Sequence, residues 1–95
     1  MPRRDPGRRR VSDEIDARGL LCPLPVLKLR KRLLSLPQGA VVRMIATDPA
    51  AVIDVPHFCA EGGHTLLQTK PAAGGATEYV VARGPAAAER IDDPR

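Results

Sequence analysis

Ile15-Asp16-Ala17-Arg18-Gly19-Leu20-Leu21-Cys22-Pro23-Leu24-Pro25 is the stretch that decides the fold. Ile15 and Ala17 alternate with polar neighbours as the inward positions of a strand do. Gly19 marks a turn. Pro23 and Pro25 then belong at a helix start, where the N–H groups that proline lacks have no partner inside the helix. A strand therefore passes into a helix within a few residues, with Cys22 at the junction. At this spacing Cys22 is expected at the N-cap, Pro23 at N1 and Pro25 at N3. The N–H groups of Leu24 and Val26 are left to face the sulfur, and the positive end of the helix dipole favours thiolate over thiol. Thiolate is the form that attacks sulfur electrophiles. Cys22 is thus a candidate nucleophile. The alternative is an ordinary cysteine before a proline-started helix, since free cysteine is also among the most buried residue types.

Outward from this junction the elements follow in order. Residues 12–17 read as a short strand. A helix is expected over 23–36, with Val26, Leu27, Leu29, Leu33, Leu34 and Leu36 on one broad apolar arc and Lys28, Lys31, Arg32 and Ser35 opposite, at about 100° per residue. Arg30 falls inside the arc, where its stem covers core atoms and its head reaches water. Leu24 projects to the polar side, close to Cys22. Pro37-Gln38-Gly39 turns the chain. Residues 40–47 form the clearest strand, apolar on both faces as an interior strand is. Asp48-Pro49 and Asp54-Val55-Pro56 each read as a capped helix start, and Gly62-Gly63 as a stop. Residues 64–70 and 77–83 read as an antiparallel hairpin around Gly74-Gly75. From Gly84 onward a loose tail is expected.

The resulting order is β-α-β-α-β-β. A helical crossover between the first two strands implies parallel pairing. The expected fold is a two-layer α/β (α+β) sandwich, a four-stranded mixed sheet covered on one face by two helices.

Composition sets limits on function. The chain has 95 residues, one Phe, one Tyr and no Trp, so its core must be aliphatic. Two cysteines are too few for a disulfide scaffold, and a reducing compartment, the cytoplasm, is expected. No segment is long and apolar enough to span a membrane, and no apolar run follows the first arginines as a secretory signal requires. The net charge of +4 is local: residues 1–12 hold five Arg and one Asp, and the remainder has ten basic and ten acidic residues. Residues 1–12 are expected to be a disordered Arg-rich tail, 13–83 the folded domain and 84–95 a flexible tail. With no aromatics to stack bases, direct nucleic-acid binding by the Arg-rich tail is not expected.

The block Asp16 to Pro25 resembles the signature of the TusA/SirA/YedF family of sulfur-carrier proteins, which combines Gly-Leu with Cys-Pro-x-Pro. A second block, from Ala46-Thr47-Asp48-Pro49 through Asp54-Val55-Pro56-His57-Phe58-Cys59 to Gly63-His64, is similar to the same family. The likeness covers residues 13–83. It implies the sandwich derived above, and it implies an activity. Cys22 would accept sulfane sulfur as a persulfide from a donor such as a cysteine desulfurase or rhodanese and pass it to an acceptor protein. The uses implied are tRNA thiolation, cofactor biosynthesis and sulfur metabolism. No cofactor and no metal are implied. Gly19, Leu20, Pro23, Pro25, Asp16 and Arg18 would support the motif. Leu24, Lys28, Lys31 and Arg32 are candidate docking residues, the three cations steering acidic partners or serving only as the solvated side of the helix. A monomer is expected.

Other readings remain open. Cys59 is either a resolving thiol for Cys22, as in a redox regulator, or a buried small hydrophobe. His57, Cys59 and His64 match no strong zinc spacing. A regulatory binding module using the Arg-rich tail is a third class.

Overall fold

A computed structural model describes residues 11–85. The tails expected over 1–12 and 84–95 lie outside the described residues except for 11–12 and 84–85. Six regular elements follow in the expected order: β1 (Asp13–Ala17), α1 (Leu24–Leu34), β2 (Val41–Ala46), α2 (Ala51–Gly62), β3 (Thr65–Pro71) and β4 (Thr77–Ala82). A short 3-10 turn at Ala73–Gly75 closes the hairpin between β3 and β4. The sheet order is β1-β2-β4-β3, with β1 parallel to β2 and the other neighbours antiparallel. The two central strands carry apolar residues on both faces. The outer strands are polar on the face away from the helices, as solvated edges require.

The core lies between the sheet and the helices. Val42 and Met44 on β2 and Tyr79 and Val81 on β4 meet Leu29 and Leu33 of α1 and Val55 and Cys59 of α2. Ile15 and Ala17 are buried on β1, as their alternation predicts. On the opposite face Glu14 pairs with Arg43, and Ile45 and Val80 are half-buried.

Three expectations need correction. The apolar arc of α1 is narrower than its composition suggests, with Leu27 and Leu34 exposed at 51% and 45%. Pro25, Leu29 and Leu33 are buried, and Val26 and Leu36 pack against the core while partly exposed. Second, Asp54 caps no helix. α2 is continuous from Ala51, with Asp54 in its first turn and Pro56 inside it. Pro56 is exposed, and the stripe Ala51, Val55, Cys59 is buried on both sides of it, so packing outweighs the one backbone bond that proline removes. Third, Gly84 begins no loose tail where it is described. It is buried, its N–H donates to His64 Nδ1 at 2.8 Å, and its carbonyl accepts from Arg83 Nη1. Arg83 is itself buried and donates through Nε to the Leu33 carbonyl at 2.8 Å, so a cation closes the negative end of α1.

Candidate functional site

Both parallel strands end at the same edge of the sheet, and the loops that leave them meet there. At the end of β1, the Asp16 carboxylate grips the Arg18 guanidinium in two bonds of 2.9 Å and also accepts the Arg18 N–H. This clip holds the Asp16 carboxyl down at about 2, the bonds from Arg18 being the main cause. Gly19 follows at φ +82, a left-handed conformation that a side chain would strain, and its N–H donates to Thr47 Oγ1 at 2.9 Å. Leu20 packs against the core. The loop after β2 supplies Asp48. Its Oδ2 accepts the Cys22 N–H at 2.5 Å, and its Oδ1 accepts the N–H of Ala50. One carboxylate thus starts the turn into α2 and anchors the cysteine loop to it.

Cys22 is exposed at the tip of this loop, and the Cys22–Pro23 peptide is cis. The helix begins one residue later than the proline spacing suggests. Pro23 is the N-cap, Leu24 is N1 and Pro25, buried, is N2. The Leu24 N–H is turned to the Leu21 carbonyl at 2.8 Å and does not serve the sulfur.

The thiol itself departs from expectation. The helix end by itself favours thiolate. Instead, the Cys22 pKa is raised, first because its thiol donates to the Asp54 carboxylate, then by burial and by the charges of Asp54 and Asp48. A helix N-terminus offers the equivalent of about half a positive charge, and two full negative charges on α2 and its leading loop outweigh it. Cys59 is a different kind of thiol, buried in the core and pushed up to about 11 by desolvation. Native protein is therefore expected to take up one equivalent of iodoacetamide and denatured protein two. The native rate should still be climbing above pH 9, because a thiol with a raised pKa has not finished ionising there. A native plateau reached below pH 8 would contradict the carboxylate control.

Exposed apolar residues lie on the two elements that meet at the cysteine loop. Leu24 is 50% exposed, as its projection predicts. Leu21, beside Cys22, and Val52 and Ile53, in the first turn of α2, are at least as exposed, and the sequence did not flag them. A signal was available: a buried stripe at 51, 55 and 59 leaves Val52 and Ile53 outside the core. Lys28 and Lys31 stand free on the outer side of α1. Arg32 does not join them. It is half-buried and bonded through Nη1 to Asp13 Oδ2 at 2.6 Å, so it ties α1 to β1 and is no free docking cation. Among the described residues no three His, Cys, Asp or Glu side chains converge as metal ligands do. His57 pairs with Glu61 on α2, while His64 accepts the Gly84 N–H and faces the Phe58 ring. No helix of the described residues is long and apolar enough to cross a membrane.

A four-stranded mixed sheet covered on one face by two helices is the architecture of a SirA-like protein. The crystal structure of a SirA-like protein from Desulfitobacterium hafniense superposes with a TM-score of 0.69 at 24% identity, over 77% of this chain and 99% of that one. The family model for sulfurtransferase TusA matches residues 13–83, and the chain belongs to that family. Sulfur carrier protein TusA of Pseudomonas entomophila is 47% identical over 60 residues, 63% of this chain and 75% of the relative. That of Allochromatium vinosum is 43% identical over 61 residues, 64% and 80% of the two chains.

Proposed function

We propose that this protein accepts sulfane sulfur as a persulfide on Cys22 and relays it to an acceptor protein. The observation that carries this reading is a single exposed thiol on the loop into α1, in a member of a family whose curated relatives are named sulfur carriers. The Cys22 thiolate attacks the outer sulfur of a donor persulfide. The donor S–S bond breaks, a new one forms on Cys22, and the donor cysteine leaves as thiolate and takes up a proton. Delivery repeats the exchange, with an acceptor thiolate attacking the outer sulfur and Cys22 leaving. One sulfur moves and no electrons enter or leave the pair of proteins. Such a step needs neither a bound cofactor nor a pocket for a small substrate. The donor class is a cysteine desulfurase or rhodanese, and the acceptor serves tRNA thiolation, cofactor biosynthesis or sulfur metabolism. The protein works as a cytoplasmic monomer, and Asp16, Arg18, Gly19, Leu20, Pro23 and Pro25 support the loop that presents the thiol.

The test is intact-protein mass after incubation with a cysteine desulfurase and cysteine. A gain of one sulfur, ~32 Da, removed by reductant, is expected. No gain with that donor, or with a rhodanese and thiosulfate, would sink the proposal.

Lys28 and Lys31 lie on the same side of α1 and are exposed. Reversing both, Lys28→Glu with Lys31→Glu, is expected to slow loading about tenfold at low salt, with the difference shrinking as salt screens the charges. An unchanged rate at low salt would remove these two from the docking surface.

A further inference from the structure

A cavity of about 120 Å³ lies where the C-terminal ends of α1, α2 and β4 come together. Arg30 on its wall follows Cys22 in the chain at a distance of about 12 Å at the rise of a helix, so the cavity is separate from the thiol loop. Three basic side chains line it from three elements: Arg30 of α1, His64 from the turn between α2 and β3, and Arg83 just past β4. Among the described residues no acidic side chain lines it, and Leu34 and Phe58 supply its apolar wall.

Arg83 is only 8% exposed. A guanidinium has five N–H donors, and two of these serve the Leu33 and Gly84 carbonyls. The other three remain, and no carboxylate among the described residues pairs with the group. The end of α1 offers it about half a counter-charge. A buried charge with so little compensation is costly, and a full anion in the cavity would supply the rest. His64 is fixed beside it. Its Nδ1 accepts the Gly84 N–H at 2.8 Å, which in the neutral ring leaves the hydrogen on Nε2. A Cβ on Gly62 would come within 2.9 Å of His64 Cδ2 and 3.1 Å of Nε2, so this helical glycine makes room for the ring. Phe58 faces the same ring at 5.4 Å.

We propose that this cavity binds a free tetrahedral oxyanion, phosphate or sulfate, between Arg83, Arg30 and His64. Donors that converge from three elements suit oxygens around a tetrahedral centre better than the planar fork of a carboxylate. The volume is room for about four waters, which matches a five-atom ion and leaves little for an organic substituent. Lys28 and Lys31 also carry charge, but both are exposed and the groove they line has no buried cation behind it. The bound ion completes the counter-charge of Arg83 and ties the ends of α1, α2 and β4 together. This site goes beyond the sulfur relay and does not depend on it.

The experiment titrates the full chain with inorganic phosphate at constant ionic strength, with chloride as the replaced ion. Tm is expected to rise along a saturating curve, by roughly 4–8 °C at about four times the dissociation constant. Sulfate should do the same and acetate should not. The backbone amide signals of Gly62, His64 and Gly84 should shift along that curve while the Cys22 signal stays in place. Arg83 caps α1, so the variant is placed at Arg30, which is exposed and outside every ion pair among the described residues. Arg30→Gln should weaken phosphate about tenfold and leave the melt without phosphate near that of wild type. Phosphate and sulfate also stabilise proteins through exclusion from their surface. A rise that does not saturate and is equal in Arg30→Gln would be that effect alone and would overturn the site. Amide shifts centred on Lys28 and Lys31 would overturn it as well. Phenyl phosphate binding well above inorganic phosphate would overturn the assignment to a free ion.

Discussion

Serine in place of Cys22 is expected to abolish sulfur loading outright, whereas serine in place of Cys59 should leave it within about twofold of wild type. The chain has two cysteines, and the fold separates them completely in character. Cys22 is exposed on the loop between β1 and α1. Cys59 is 3% exposed in the core stripe of α2 and its thiol is pushed up to about 11, so at neutral pH it offers neither access nor thiolate. A serine hydroxyl at position 22 is a far weaker nucleophile than a thiol and forms no stable bond to sulfane sulfur. Cys59→Ser places a hydroxyl among apolar groups at a cost of about 1–3 kcal/mol, so the comparison belongs well below its melting temperature. Intact mass after desulfurase treatment reads both variants. Loss of loading in both, with wild type showing an internal Cys22–Cys59 disulfide, would replace the carrier by a redox regulator.

Gly84→Ala is expected to be the most damaging conservative change to the fold. A Cβ at this position would lie 1.8 Å from the Gly63 carbonyl oxygen and 2.6 Å from its carbon, both backbone atoms. Gly63 has little room to yield: it ends α2 at φ 76 with its N–H on the Cys59 carbonyl. Gly84 is held as firmly, between the His64 ring and the Arg83 guanidinium. Overpacking against rigid backbone costs about 3 kcal/mol or more. In a domain of this size that lowers Tm by roughly 12–24 °C. Gly74→Ala is the control. Nothing lies within 4 Å of a Cβ there, so only the positive φ of 71 is felt, at about 1–2 kcal/mol. Melting of Gly84→Ala within a few degrees of wild type would show that β4 and the α2 terminus are not locked together.

Much of this was legible in the chain. Two prolines beside a glycine turn mark the β1–α1 junction because proline is tolerated in so few places, and alternation at Ile15 and Ala17 points the strand inward. The interior rank of β2 follows from a run with few polar residues. What misled was local. Asp54-Val55-Pro56 has the form of a helix start, yet α2 runs through it because Ala51, Val55 and Cys59 share one buried stripe. Six apolar positions on α1 suggested a broad buried arc. Leu27 and Leu34 nevertheless face water, because α1 shares its face of the sheet with α2 and packs on the core only through Pro25, Val26, Leu29 and Leu33, with Leu36 just beyond its end.

The sequence by itself determined the order of strands and helices, the sharp turn that presents Cys22, and the family. Only the tertiary structure decided how that thiol behaves. Read locally, Cys22 sits at a helix start and should ionise readily. In the fold, Asp48 reaches it from 26 residues away and Asp54 from the next helix, and both carboxylates favour the protonated form. Coulomb energy depends on separation in space and not along the chain, so no reading of the residues beside Cys22 could have supplied the sign of its pKa shift.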